Sequence, residues 1–300
     1  MSRRVEQKAR AREKVAAQLA AQARAERRKR LLLALGAVAV VVIVVGGLVA
    51  VRLAGGGKES STGPSGTADA QIMTALTSIP ATTFAAVGTD AAQASPSAIT
   101  APPLTSSGKP KVLYIGAEFC PYCAAERWPV TVSLSRFGTF NNLGTTHSAG
   151  DDVFPNTPTL SFHGATYTSQ YLAFTGVETT TNEKVNGNYA PLDTPTAADQ
   201  KIFDTYNQPP YVQSGGSIPF IDLGGKFVSS GASYSPELLA GKTQAEIAAA
   251  LKDSSSPIAK AIDGSASLYT AALCKVTGNQ PTAVCTSDAV TAAAGKLGKS

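Results

Sequence analysis

Between residues 111 and 137 the chain passes from an apolar strand directly into a helix, and the joint is Cys120-Pro121-Tyr122-Cys123. Val112, Leu113, Tyr114 and Ile115 form a short unbroken apolar run, the pattern of a strand covered on both faces in a mostly parallel sheet. Pro121 stands where the first turn of a helix tolerates a residue with no N–H and a preset φ. Cys120 therefore falls at a helix N-terminus, where unpaired N–H groups and the macrodipole favour a thiolate over a thiol. Cys123 follows one turn later and can attack a mixed disulfide held on Cys120. The spacing suits thiol–disulfide exchange, with Cys120 as nucleophile and Cys123 as resolving thiol.

A Cys-x-x-Cys has other uses, as half of a zinc site or, with a following His, as a haem attachment point. Ala124 follows Cys123, which removes haem. A four-thiolate zinc site would need Cys274 and Cys285 as its second pair, and they lie about ten residues apart where two to four are usual. An inert disulfide from Cys120 to Cys123 would close too short a loop to gain much chain entropy. No metal and no cofactor is expected.

Charge decides what else the chain does. Residues 1–30 carry eleven Lys or Arg against Glu6, Glu13 and Glu26, while the whole chain is only +5, so everything after residue 30 is net acidic. A folded nucleic-acid binder would need a basic face, so no nucleic-acid partner is expected. The basic excess instead precedes residues 31–51, an uncharged apolar run long enough to cross a ~30 Å hydrocarbon core at ~1.5 Å per residue. A cleaved signal peptide has a shorter apolar region of ~7 to 15 residues. The expectation is a basic cytoplasmic tail (1–30), an uncleaved transmembrane helix (31–53) and a flexible Gly/Ser/Thr linker (54–69). An extracytoplasmic domain (70–300) follows, held roughly 20 Å from the bilayer. The tail itself has good helix propensity and reads as a solvated arm against anionic headgroups.

Within that domain, 70–88 reads as short helices broken at Pro80, and 91–108 as a connector. The redox helix should run over 121–137 with a kink at Pro129 and a stop at Gly138. Residues 141–156 read as a loop, and 157–162 and 166–175 as strands. A polar insertion with one helix, 196–206, leads to a β-hairpin around Gly224-Gly225. Helices follow at 235–239 and 243–251, the latter opened by a Thr243/Glu246 capping box, and then comes a longer one with Ile258, Ile262, Ala266, Tyr269 and Leu273 on one face.

Ala117-Glu118-Phe119-Cys120-x-x-Cys123 after a buried strand resembles the active-site segment of thioredoxins, and Cys-Pro-Tyr-Cys is the glutaredoxin form of the motif. Ser217-Ile218-Pro219-Phe220 before a Gly-turn hairpin is similar to their second hallmark. Over most of the outer region, the stretch from Gly116 to Trp128 and the late Cys274/Cys285 pair resemble a membrane-anchored thioredoxin-like family of prokaryotes, a domain of unknown function. The resemblance implies an α/β fold: a thioredoxin-like central sheet with flanking helices, an insertion before Ser217 and a helical C-terminal extension, preceded by one transmembrane helix. It implies that Pro219 is cis, that Ile218 faces the cysteines, and that Ile218, Pro219 and Tyr122 bind substrate. The expected activity is that of a membrane-anchored thiol–disulfide oxidoreductase acting on protein thiols or disulfides, served by a redox partner protein. The rival is a redox-inactive binding or scaffold domain at the cell envelope.

Two features depart from the thioredoxin pattern. Where thioredoxin keeps a buried Asp as proton relay, six residues before the first Cys, this chain has Tyr114. Glu118 or Glu126 is the replacement relay, or else a solvated carboxylate beside the site. Trp128 follows the motif and reads as packing under the helix. His147 and His163 read as ordinary loop or strand-end residues. Cys274 and Cys285 lie on adjacent helical segments joined by a tight turn at 278–281, in a compartment where thiols oxidise. They should form a structural disulfide, with a second redox pair as the alternative.

Overall fold

The structure, a computed structural model, describes residues 66–67 and 70–297. The expected cytoplasmic tail and membrane span, 1–53, lie outside the described residues. Among the described residues no single helix is long and apolar enough to cross a membrane. Gly66 and Thr67, inside the segment expected to be linker, form a two-residue strand β1.

Helices α1 (Ala70–Thr77) and α2 (Ala81–Val87) meet at Pro80 with a 68° bend. After β2 (Ser97–Ala98) and β3 (Thr105–Ser106) comes β4 (Lys109–Gly116), followed by α3 (Pro121–Ser135). Four short strands follow, β5 (Gly138–Asn141), β6 (Gly144–His147), β7 (Pro158–Ser161) and β8 (Thr166–Ser169), and then β9 (Ala173–Glu178). The hairpin β10 (Thr180–Val185) and β11 (Asn188–Pro191) precedes α4 (Ala197–Tyr206) and the hairpin β12 (Phe220–Leu223) and β13 (Phe227–Ser230). The chain ends in a 3-10 turn (Pro236–Leu239), α5 (Gln244–Ala250), α6 (Pro257–Val276), α7 (Thr282–Cys285) and α8 (Asp288–Ala294).

Strand β4 is the middle of a mixed six-stranded sheet. Antiparallel β12 lies on one side, pairing Phe220 with Ile115, and β13 and β2 continue outward from it. On the other side β9 runs parallel to it, pairing Lys111 with Ala173 and Gly116 with Glu178, and β3 pairs with its first residues. A parallel neighbour requires a crossover, and α3 with β5 to β8 forms it. The apolar run alternates as its period of two demands. Val112 and Tyr114 join the main core with Trp128, Leu134, Ile262 and Leu273, whereas Leu113 and Ile115 face a smaller cluster with Val177, Ile202 and Phe203. Helices therefore cover both faces, α3 and α6 on one and α4 on the other. Lys111 Nζ, 2.5 Å from Asp199 Oδ1, pins α4 to β4.

Several expectations change. The strand expected over 166–175 is two, β8 and β9, and β9 runs on to Glu178. The loop expected over 141–156 contains β6, whose polar Thr145 and Thr146 gave no apolar alternation. The polar insertion folds partly as the β10–β11 hairpin, turned at Asn186-Gly187.

Pro129 does not end α3. A proline inside a helix strips the carbonyl four residues earlier of its donor. Here that carbonyl is Ala125 O, and the buried Tyr234 hydroxyl donates to it at 2.7 Å. In the second hairpin Gly224 and Gly225 adopt φ of 67° and 70°, a left-handed pair that side chains rarely accept.

Candidate active site

Cys120 is the N-cap residue of α3, extended in φ and ψ, with Pro121 in the first turn. The N–H of Cys123 donates to its Sγ at 3.4 Å. On the opposite side the Cys120 thiol donates to Ile218 O at 3.9 Å. Cys120 is 6% exposed and Cys123 is wholly buried; both are free thiols.

Their environments drive them apart. Hydrogen bonding to the Cys123 thiol, helped by the backbone N–H groups of Cys123 and Tyr122 and by the Arg127 charge, outweighs burial and lowers the Cys120 pKa to about 7. Burial pushes the Cys123 thiol well up, with Cys120 adding to the rise and Arg127 opposing it. One sulfur is thus ready to ionise near neutrality while the other stays protonated beneath it.

Two residues that sequence reasoning missed underlie this site. Arg127 is fully buried and grips Glu178, at the end of β9, through Nε to Oε1 (2.7 Å) and Nη2 to Oε2 (2.6 Å). Its Nη2 also donates to Ala117 O at 2.7 Å, holding the segment before the motif. The available signal was an arginine one turn beyond Cys123 on a helix that buries almost every residue. Its partner was hidden by the missed extent of β9.

Neither candidate relay carboxylate is solvated. Glu118 is buried and accepts from Ser161 Oγ at 2.6 Å. Glu126, also buried, accepts from Ser233 N (2.7 Å), Ser233 Oγ (2.8 Å) and Tyr269 OH (2.6 Å), which ties α3 to α6 and to the segment after β13. Burial raises its pKa against those bonds. Trp128 packs beneath the helix and donates from Nε1 to Pro158 O at 3.1 Å. His163 Nδ1 lies 2.7 Å from Asp193 Oδ1, and His147 Nδ1 lies 2.8 Å from Ser148 O.

Around the cysteines the surface is built from three segments. The Ile218–Pro219 peptide bond is cis and lies just before β12, so the sheet sets its position beside Cys120. Tyr122, 42% exposed, meets Phe154 edge-on at 5.9 Å, and Ala149 N donates to Phe119 O at 2.8 Å, fixing the 148–157 loop. From the β10–β11 hairpin, Tyr189 stacks on Phe119 at 4.2 Å and its hydroxyl donates to Asp151, which also pairs with Lys184.

Cys274 and Cys285 form a disulfide with Cα atoms 5.6 Å apart. It staples α7 to the end of α6. Among the described residues no cluster of three His, Cys, Asp or Glu is arranged to hold a metal ion.

The fold and site define a mixed α/β protein with an asymmetric buried dithiol at a helix N-terminus. Residues 96–194 match a family described as a domain of unknown function (DUF929). That segment contains Cys120, Cys123, Arg127 and Glu178, and stops before Ile218, Pro219 and the C-terminal disulfide. No curated protein and no solved structure matches the chain.

Proposed function

We propose that this protein is a thioredoxin-like, membrane-anchored thiol–disulfide oxidoreductase working outside the cytoplasm. The observation that carries the reading is the contrast within one helix turn: Cys120 capped by N–H groups with a pKa near 7, Cys123 buried and held protonated. The Cys120 thiolate attacks a substrate disulfide and expels one thiolate, leaving a mixed disulfide. Cys123 then attacks Cys120 Sγ, the bond to the substrate sulfur breaks, and a Cys120–Cys123 disulfide remains. The reverse sequence oxidises a substrate dithiol.

A protein substrate is supported by the surface. The large hydrophobic side chains exposed among the described residues, Tyr122, Val153 (66%) and Val185 (60%), belong to the motif, the 148–157 loop and the hairpin tip around Cys120. The backbone of Ile218, with its carbonyl toward Cys120, offers an edge for an extended chain. An anchored, extracytoplasmic setting is supported by the apolar run after a basic tail and by the Cys274–Cys285 disulfide, which belongs to an oxidising compartment. A separate redox partner protein would reset the pair.

Maleimide labelling of the native protein before and after mild reduction tests the reading, together with measurement of the Cys120/Cys123 reduction potential. One fast-reacting thiol after reduction is expected. A pair that resists reduction, or yields only slow thiols, would make this a redox-inactive scaffold instead.

A further inference from the structure

Two buried donor atoms, Arg127 Nη1 and the Tyr114 phenol oxygen, stand out because they have no hydrogen-bond partner among the described residues. Arg127 lies four residues further along α3, on the same face and with Cβ about 5 to 6 Å away. Three of its hydrogen bonds go to Glu178 and Ala117, but Nη1 is buried and has no partner among the described residues. On β4 the phenol oxygen of Tyr114 is likewise buried and unpartnered. It reaches forward along the strand to within 2.5 Å of where a Cβ on residue 116 would stand, so only glycine there leaves it room. Arg127, Cys123, Glu178 and Cys120 all act electrostatically on that phenol, which puts the two spare donors and both sulfurs in one buried neighbourhood.

A buried donor left unpaired is costly, and Phe at 114 would fill nearly the same volume without the cost. We propose that Tyr114 and Arg127 stabilise the Cys123 thiolate that forms when a mixed disulfide on Cys120 is resolved, with Glu178 as the residue that positions Arg127. The inference rests on the exchange reading above and deepens it. In this step Cys123 gives up its proton, its thiolate attacks Cys120 Sγ, and the bond from Cys120 to the substrate sulfur breaks as the Cys120–Cys123 bond forms. The expelled substrate thiolate takes up one proton, so charge and electrons balance with the substrate disulfide as oxidant.

The groups acting on Cys123 are Cys120 and Arg127 from its own helix and Glu178 from β9, and the Tyr114 phenol on β4 is acted on by the same groups and by Cys123. Of the two charged partners, the guanidinium acts more strongly than the carboxylate. Burial keeps the Tyr114 phenol protonated well above pH 10, so it remains a donor wherever Cys123 titrates. A donor lost to a charged acceptor should slow the step about tenfold.

Stopped-flow reaction of the reduced protein with the aromatic disulfide 5,5′-dithiobis(2-nitrobenzoate) separates the steps, because attack by Cys120 releases one coloured thiolate and resolution by Cys123 the second. In Tyr114→Phe the first phase should keep its rate while the second slows about tenfold, its pH midpoint moving up by about one unit. Arg127→Lys, which keeps the charge but removes Nη1, should slow the second phase in the same way. Equal slowing of both phases in Tyr114→Phe, or no slowing of either, would overturn the proposal. Should Tyr114→Phe not fold, Arg127→Lys decides alone on the same criterion. A wild-type protein that releases no coloured thiolate would refute the exchange reading and this proposal together.

Discussion

The N–H of Cys123 points at the sulfur of Cys120 from 3.4 Å, so the sulfur of one cysteine is held by the backbone of the other. The pKa of Cys120 is depressed to about 7, so the thiolate appears at lower pH than for a free thiol. Its alkylation by iodoacetamide should therefore rise with pH through a midpoint near 7 and level off by about pH 8. Buried Cys123 should remain unmodified across that range. A midpoint above 8.5, measured by mass spectrometry of the modified peptide, would show that the helix end does not activate the sulfur.

The exposed apolar rim sets a second expectation. Replacing Val153 and Val185 together by Ser leaves the buried site untouched. Exchange with the small aromatic disulfide should stay at the wild-type rate, while exchange with an unfolded disulfide-bonded protein falls several-fold, since each buried aliphatic side chain contributes ~1.5 kcal/mol or more. Parallel losses on both substrates would mean the rim supports the site itself.

At the C-terminus, Cys274 and Cys285 close a loop over a separation of 11 residues. In the chain-entropy model that is worth ~3 kcal/mol. Changing both to Ser should lower the melting temperature, read by circular dichroism, and leave exchange at Cys120 intact. A folded double variant that stalls after one turnover would instead make the pair a second electron relay.

Asp263 on α6 offers a test of pH linkage. Both of its carboxylate oxygens are buried without a hydrogen-bond partner among the described residues, and burial, opposed by Arg136, raises its pKa to about 8. In the unfolded chain an aspartate titrates near 4. Folding therefore favours the protonated form: its contribution is full below pH 4 and lost as pH climbs through 8. Asp263→Asn should remove that loss, stabilising the protein by about 1 to 3 kcal/mol at pH 9 while changing little at pH 4. Urea unfolding at the two pH values measures the difference, and equal shifts at both would place the effect elsewhere.

Much of this arrangement was legible in residue order. The strand at Val112 to Ile115, the Pro121 helix start, the Gly224-Gly225 hairpin and the Thr243/Glu246 capping box each follow from local chemistry, and each stands in the structure. What escaped was mostly non-local. Strands β6 and β10 are polar and carry no apolar alternation; β6 pairs in part with β1 far back in the chain, while β10 pairs with its neighbour β11. The helix was expected to run through Pro129 and does; what residue order does not announce is the tyrosine, more than a hundred residues later, that donates to the carbonyl Pro129 leaves free. The Arg127–Glu178 pair needed the extent of β9. Glu118 and Glu126 read equally as relays or as solvated carboxylates because sequence gives no measure of depth, and both are buried.

Tyr234 on Ala125 O has a further consequence for how this molecule divides. Residues 96–194 hold both reactive sulfurs and look self-sufficient on paper. Yet the sheet beside β4 is closed by β12, the carbonyl beside Cys120 belongs to Ile218, and the helix bearing the cysteines is completed by Ser233, Tyr234 and Tyr269. A polypeptide cut at 194 would expose one whole edge of β4 and leave the Glu126 carboxylate and Ala125 carbonyl without donors. The segment that matches the domain of unknown function and the segment able to fold are therefore of different lengths, and any graft of this dithiol onto another scaffold has to carry the later third of the chain with it.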